Sequence, residues 1–295
     1  MALEAVGLLS PGDMGHAVGR VLVEKGLPVL SCLEGRSQRT RDLARLAGIQ
    51  EVSSCAQLVR ETNLILSILV PAAAVEAAAL VARILEEVGS QITFVDCNAI
   101  APDTARTIAK IFAPSGSSFV DAGIIGPPPK REGLTRFYTS GPDTTTFELL
   151  NQYGLDIRVI GPQIGQASGF KMCYAALTKG FFALATELLV AAKRLDLYEP
   201  LVREFQLSQA PRYDSMVKEL PGNPPKAGRW IGEMEEIAHT FETLGLTPKI
   251  HLGAADIFRF VSQTSLATES PETRDTDRTL AQLIEILAAA TEGEK

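Results

Sequence analysis

The sequence is short of the residues that build metal and disulfide frameworks. Its three histidines, His16, His239 and His251, are scattered, with no pair at metal-ligand spacing, so no metal site is expected. Its four cysteines, Cys32, Cys55, Cys97 and Cys173, include no Cys-x-x-Cys pair. They read as reduced, mostly buried thiols of a cytoplasmic protein rather than as a disulfide scaffold. Positive charge is also in deficit. A net charge of −7 argues against a nucleic-acid surface, which needs a basic face. No apolar run approaches the ~20 residues of a membrane span, so no membrane partner is expected. The first residues lack the basic segment, apolar segment and cleavage site of a secretory signal. What is present is core-forming material. With 295 residues, 46% of them hydrophobic, the chain can bury the interior of two domains.

The first half alternates short apolar runs with amphipathic stretches. Strands are expected at 5–9, 28–32, 64–68, 92–96 and 119–122, with helices at 15–25, 37–47, 72–87 and 103–112 between them. This rhythm predicts a parallel sheet covered on both faces, an α/β doubly wound domain. Two more strands are expected at 135–140 and 156–160, around a helix at 144–152. Gly161-Pro162 then breaks the pattern. Beyond it the strand signals stop. Residues 164–196 carry Ala, Leu and Phe at helical spacing without a proline, which predicts an unusually long helix joining two domains. Further helices are expected at 199–205, 210–219, 226–244, 249–263 and 273–290, with loops at 220–225 and 264–272. The reading is therefore a nucleotide-binding-type domain over 1–162 and an all-α domain over 163–295.

The first turn reads Val6-Gly7-Leu8-Leu9-Ser10-Pro11-Gly12-Asp13-Met14-Gly15 and lies between an apolar run and an amphipathic stretch. A dinucleotide fingerprint needs that context. Gly12 lets the backbone approach a pyrophosphate, Gly15 lets the first helix pack on the first strand, and the helix N-terminus favours the phosphates. Ser10 stands where the fingerprint has its first glycine. The second strand ends at Glu34-Gly35-Arg36-Ser37. An acid here binds a ribose 2′-hydroxyl, and an arginine fits a 2′-phosphate. Arg36 with Ser37 favours NADP, while Glu34, shifted by one register, favours NAD.

Ile68-Leu69-Val70-Pro71 and Asp96-Cys97-Asn98 fall at the carboxyl edge of the predicted sheet, where α/β folds place ligands. Asn98 is either a hydrogen-bond partner for a nicotinamide ribose or substrate, or the cap of the next helix. The run Asp121-Ala122-Gly123-Ile124-Ile125-Gly126-Pro127 is a strand followed by a stiff loop. In the long helix, Lys171 sits in an otherwise apolar turn, where a lysine is costly to bury without a partner or a task; on the residues alone, a lysine snorkelling from the helix is the favoured alternative.

Together these segments resemble the β-hydroxyacid dehydrogenase and 6-phosphogluconate dehydrogenase superfamily over nearly the whole chain. The resemblance rests on Gly12-Asp13-Met14-Gly15, Arg36-Ser37, Val70-Pro71, Asp121-Ala122 and the helix with Lys171. The stretch from Gly228-Arg229-Trp230 to Ala238, with Leu244-Gly245-Leu246-Thr247-Pro248, resembles a poorly characterised subgroup with its own C-terminal helical domain. The resemblance implies a Rossmann domain, a helical domain, a cleft between them, and a homodimer built on C-terminal helices. It also implies hydride transfer on a small alcohol or carbonyl substrate, with Lys171 as catalytic acid and base. That role calls for a dry pocket or a neighbouring cation to loosen the lysine's proton. Ser10, Gly12, Asp13, Met14, Gly15, Arg36, Ser37, Leu69, Val70 and Asn98 would hold the cofactor.

Three family anchors are replaced: Ala175, after Tyr174, stands for an asparagine, Ile125-Gly126-Pro127 for a Ser-Gly-Gly loop, and Gly232-Glu233 for a Lys-Asp pair. Ile125, Gly126, Tyr174, Trp230 and Glu233 are thus candidate substrate residues, with helix packing the alternative for Trp230 and a solvated face for Glu233. A catalytically silent NADP-binding scaffold and an imine reductase are the competing readings. Lys179, two turns beyond Lys171, is expected to tolerate alanine.

Overall fold

The computed structural model describes residues 3–130, 133–270 and 272–290. They divide into two compact units, Met1–Cys173 and Tyr174–Lys295.

The first unit is a single sheet of eight strands in the order β3-β2-β1-β4-β5-β6-β7-β8. These are β1 (Val6–Leu8), β2 (Val29–Cys32), β3 (Gln50–Val52), β4 (Leu64–Ser67), β5 (Thr93–Asp96), β6 (Ser118–Ile125), β7 (Arg136–Ser140) and β8 (Ile157–Gly161). The first six strands run parallel in the doubly wound order, with the switch point between β1 and β4. The strands of the alternating pattern are parallel as expected, and β7, whose direction the sequence pattern leaves open, pairs antiparallel with β6. The cause is local. β6 runs on to Ile125, past the expected end at 122, and its continuation turns back at Gly126. There φ is +116°, and an added Cβ would stand 2.2 Å from the Leu134 carbonyl oxygen.

Helices α1 (Asp13–Glu24), α2 (Gln38–Leu46), α3 (Cys55–Glu61), α4 (Ala74–Val88), α5 (Pro102–Phe112) and the short α6 (Thr145–Glu148) cover the sheet. Their starts follow ordinary capping chemistry. The hydroxyls of Ser37 and Ser54 accept from the Thr40 and Gln57 amides, and Pro102 opens α5. One face of the sheet buries Leu8, Leu66, Val95, Val120 and Phe137 against Val18, Leu22 and Phe147. The other buries Ile65, Phe94 and Phe119 against Val81, Leu85, Ile108 and Phe112. On that side Phe94 and Phe112 stack at 4.4 Å.

The long helix α7 spans Gln166–Arg194, slightly inside the expected 164–196. By length and composition it is apolar enough to cross a membrane, which corrects the expectation that no stretch approaches a span. However, 44% of its apolar window is buried inside the protein. The second unit adds α8 (Tyr198–Ser208), α9 (Ala210–Glu219), α10 (Ala227–Thr243), α11 (Lys249–Ser262) and α12 (Leu280–Ala290). Helices α10 and α11 form an antiparallel hairpin. Trp230 meets Phe258 at 5.2 Å at one end, and Phe241 meets His251 at 4.5 Å at the other. The last helix starts at Leu280 rather than 273, after a segment rich in Thr, Asp and Arg. The expected loops at 220–225 and 264–272 contain short 3₁₀ turns. Of the cysteines, Cys32 and Cys97 are buried, Cys55 is half-buried and Cys173 is exposed, so "mostly buried" holds for only part of the set.

Candidate active site

The turn after β1 has the shape a pyrophosphate requires. An added Cβ on Gly15 would stand 2.0 Å from the Ser10 carbonyl oxygen, so the turn lies directly against the first turn of α1. At Gly12 the nearest atom to an added Cβ is Ser10 Oγ at 3.9 Å. That glycine is therefore not demanded by the protein's own packing, and the space above it is open for a ligand. Gly12 is the N-cap of α1 and makes no side-chain cap. The first-turn amides are thus backbone donors of the kind that bind phosphate. Asp13 is held by the Arg39 guanidinium at 2.5 Å. Met14 is half-buried against the core.

At the end of β2 the Arg36 guanidinium reaches back and donates to the Leu9 carbonyl at 2.9 Å. This places the cation beside the glycine turn. Ser37 caps α2, and Glu34 is exposed. Residues Gly12, Gly15 and Arg36 therefore fit the phosphates of a dinucleotide.

The opposite end of the expected cofactor site is organised by Asn98. Its Oδ1 accepts from the Leu69 amide, and its Nδ2 donates to Ser67 Oγ at 2.9 Å and to Asp96 Oδ2 at 2.8 Å. Asn98 is 2% exposed, and both of its amide hydrogens are used inside the protein. It fixes the loop after β4, on which Val70 is 47% exposed.

Lys171 lies at the carboxyl edge of β6. Its Nζ donates to the Ile124 carbonyl at 2.5 Å. Gly123 makes the approach possible, since an added Cβ would lie 2.9 Å from Lys171 Cβ and 3.1 Å from the Ala167 carbonyl. One helical turn earlier, Asp121 Oδ2 accepts from the amides of Gly165 at 2.8 Å and Ser168 at 3.1 Å, and from Ser140 Oγ at 3.0 Å. Its Oδ1 accepts from Ser168 Oγ at 2.5 Å. Ser140 Oγ in turn accepts from the Ala167 amide at 2.9 Å. Burial pushes the Asp121 carboxyl above its ordinary value, opposed by the hydrogen bonds from Ser168, Gly165 and Ser140.

The register makes this a continuous feature. Ser67, Asp96, Asp121 and Ser140 are successive partners across β4, β5, β6 and β7, and each is at most 1% exposed. Sequence reasoning noted Asp121 only as the opening of a loop and missed Ser67, Ser140 and Ser168. The signal available was an acid ending an apolar run twice, in Phe94-Val95-Asp96 and Phe119-Val120-Asp121.

The remaining candidates are placed as follows. Ile125 is 2% exposed and is the last paired residue of β6, opposite Arg136. Gly126 forms the turn that follows. Tyr174 is 47% exposed. Trp230 is 7% exposed, stacked on Phe182 at 5.9 Å and set edge-on to Phe258. Glu233 is 8% exposed and pairs with Lys179 Nζ at 2.6 Å, with Arg229 Nε at 3.5 Å. A buried ion pair bears on the expectation that Lys179 tolerates alanine. Lys179 is itself 8% exposed, because α7 turns it towards α10 and its carboxylate partner.

Residues 5–152 match the family described as the NAD binding domain of 6-phosphogluconate dehydrogenase. The chain belongs to that family. Residues 192–261 match a second family, described only as a domain of unknown function. An uncharacterised 28.5 kDa protein of Methanothermus fervidus is 24% identical over 213 residues, 72% of this chain and 80% of that protein. A conserved protein of unknown function, solved and described as structurally similar to 3-hydroxyacid dehydrogenases, is 30% identical. Its TM-score is 0.65, over 88% of this chain and 96% of that one. The 3-hydroxyisobutyrate dehydrogenase of Mycobacterium tuberculosis, solved with L-serine, shares the fold at 18% identity. Its TM-score is 0.66, over 97% of this chain and 99% of that one.

Proposed function

We propose that this chain is an NADP-dependent oxidoreductase acting on an alcohol–carbonyl pair, with Lys171 as its general acid and base and Arg36 as the residue that selects the phosphorylated cofactor. The observation that carries the reading is Lys171 itself. Its ammonium stands at the carboxyl edge of the sheet of a family member, held there by a hydrogen bond to the Ile124 carbonyl. Bound nicotinamide would supply or accept the hydride. In reduction, Lys171 Nζ donates a proton to the oxygen of the forming alkoxide. In oxidation, the neutral amine removes the hydroxyl proton. The backbone of the β1 turn and α1 holds the phosphates, and Asn98 fixes the loop beside which the ring end would lie.

The substrate differs from a small hydroxy acid held by a serine loop. The position that would carry that serine is Ile125, an apolar residue buried in a strand. The reading therefore favours a carbonyl compound whose recognition does not depend on that contact.

The test is NADPH consumption over a panel of aldehydes, ketones and keto acids, with Lys171→Ala measured beside the parent. The expected loss in kcat is ~10²–10⁴-fold, the contribution of positioned proton transfer, with NADPH affinity unchanged. Lys171→Arg restores little, because a guanidinium does not release its proton. Near-parental turnover in Lys171→Ala refutes the assignment. A parent protein that binds NADPH but turns over nothing on the panel is the outcome a silent scaffold gives.

A further inference from the structure

We propose that Asp121 is a positioning residue for Lys171, setting the register of α7 on β6. The proposal rests on the assignment of Lys171 made above. Strand and helix are joined by two rungs. The first runs from the Asp121 carboxylate to Ser168, through both the amide and the hydroxyl. The second runs from the Ile124 carbonyl to Lys171 Nζ. The rungs are three residues apart on the strand and three apart on the helix, so the first fixes the spacing of the second. Between them Gly123 has no room for a side chain against Ala167 and Lys171, which holds the helix at contact distance. Lys171 is thus referenced to one strand twice, by its backbone through Ser168 and by its ammonium through Ile124.

The choice of a carboxylate argues for positioning beyond simple capping. Elsewhere in this unit the helix starts at Ser37 and Ser54 are capped by hydroxyls alone. A fully buried carboxylate is a costly group to use at a helix end. Its return is the number of donors it gathers. One oxygen collects Gly165, Ser168 and Ser140 from a helix and a neighbouring strand, and Ser140 Oγ takes the Ala167 amide as well. Three elements of the fold, β6, β7 and the first turn of α7, are locked at the point from which Lys171 projects. A single hydroxyl lacks the acceptor sites to do this.

The experiment is a double-mutant cycle on Asp121→Asn and Lys171→Ala, with NADPH titration and hydrogen exchange of the Gly165–Phe170 amides as readouts independent of turnover. Asn is close to isosteric and preserves the fold where Ala risks losing it. Asp121→Asn is expected to lower kcat by about ten- to a hundred-fold, the scale of a roughly ångström-sized misplacement of a catalytic group. KM for the carbonyl and affinity for NADPH should stay within about two-fold, while exchange speeds up in the first turn of α7. The decisive arm is the double variant. If Asp121 acts through Lys171, removing the ammonium leaves it nothing to position, and the double variant turns over no more slowly than Lys171→Ala alone. Multiplicative losses, or Asp121→Asn with parental kcat, overturn the positioning role while leaving the Lys171 assignment intact. Near-parental turnover in Lys171→Ala alone overturns the assignment, and the positioning role with it.

Discussion

Lys179→Ala strands a buried carboxylate, and the size of that effect follows from the pair's surroundings. Glu233 is 8% exposed and meets Lys179 Nζ at 2.6 Å, with Arg229 Nε farther off at 3.5 Å. Removing one member of a buried ion pair costs about 3–5 kcal/mol, mostly because the partner's charge is left without compensation. Arg229 is 42% exposed, so its own interaction is screened and it recovers only part of the loss. A net cost of roughly 2–3 kcal/mol is therefore expected. In a protein of this size each kcal/mol moves Tm by about 2–4 °C, so the melt should fall by roughly 4–12 °C. Urea unfolding followed by the fluorescence of the single tryptophan, Trp230, reads the same change, because Lys179 Nζ lies 5.8 Å from the Trp230 ring centroid. The reasoning requires a second result. Lys179→Met combined with Glu233→Leu removes both charges and fills the space, so it should recover most of the loss. A Lys179→Ala protein melting within about 1 °C of the parent would refute the account, and so would a double variant less stable than the single.

Other expectations follow from single groups. NADPH should bind at least about ten-fold tighter than NADH, and Arg36→Ala should remove most of that difference, since a charge-assisted contact to the 2′-phosphate contributes roughly 1.5–3 kcal/mol; equal affinities by isothermal titration would point to Glu34 as a ribose ligand. His251 is 7% exposed, its Nδ1 lacks a hydrogen-bond partner, and burial lowers its pKa below the ordinary value. Its contribution to stability should therefore be complete above about pH 6.5 and fade as pH falls below that value, with His251→Phe flattening this limb in urea midpoints measured from pH 7.5 to 5; an unchanged limb rejects the idea. The chain should be a homodimer at micromolar concentration by light scattering, because Tyr174, Leu177 and Leu184 on α7 are 47%, 77% and 59% exposed at helical spacing; Leu177→Glu should shift it to monomer, and a monomeric parent would defeat the expectation.

The legibility of this fold in its sequence follows from where burial and periodicity coincide. The long helix was plain from Ala, Leu and Phe at helical spacing, and its ends moved by only two residues, from 164–196 to Gln166–Arg194. The apolar cores of β1, β4 and β5 were equally visible. β3 and α3 were missed for the opposite reason. Gln50-Glu51-Val52 is an edge strand with its first two side chains exposed, so its pairing with β2 is carried by the backbone and leaves no hydrophobic pattern. Helix α3 follows within three residues and is too short to show a period. The antiparallel β7 was recognised as a strand but not for its direction, because direction depends on the turn at Gly126 rather than on the strand's own residues.

The same distinction runs through the candidate site. Gly12, Gly15 and Arg36 were legible because a local turn and a strand end carry their meaning. The partnerships of Lys171 were not, because they join residues about fifty positions apart, and the two lysines of α7 show the consequence. From the residues alone Lys171 reads as a lysine snorkelling from an apolar turn, the family resemblance gives it a task, and Lys179 is the neighbour expected to tolerate alanine. Both are in fact committed, Lys171 to a strand carbonyl and Lys179 to a carboxylate on α10. What separates them chemically is the kind of partner. Lys171 is placed by a strand carbonyl. Lys179 shares a buried ion pair with Glu233, so removing either partner leaves a charge in the interior. Asp121, the acid on the strand that carries the Lys171 anchor, spends its lone pairs on the first turn of α7 and on Ser140, so its effect on Lys171 runs through the register of the helix.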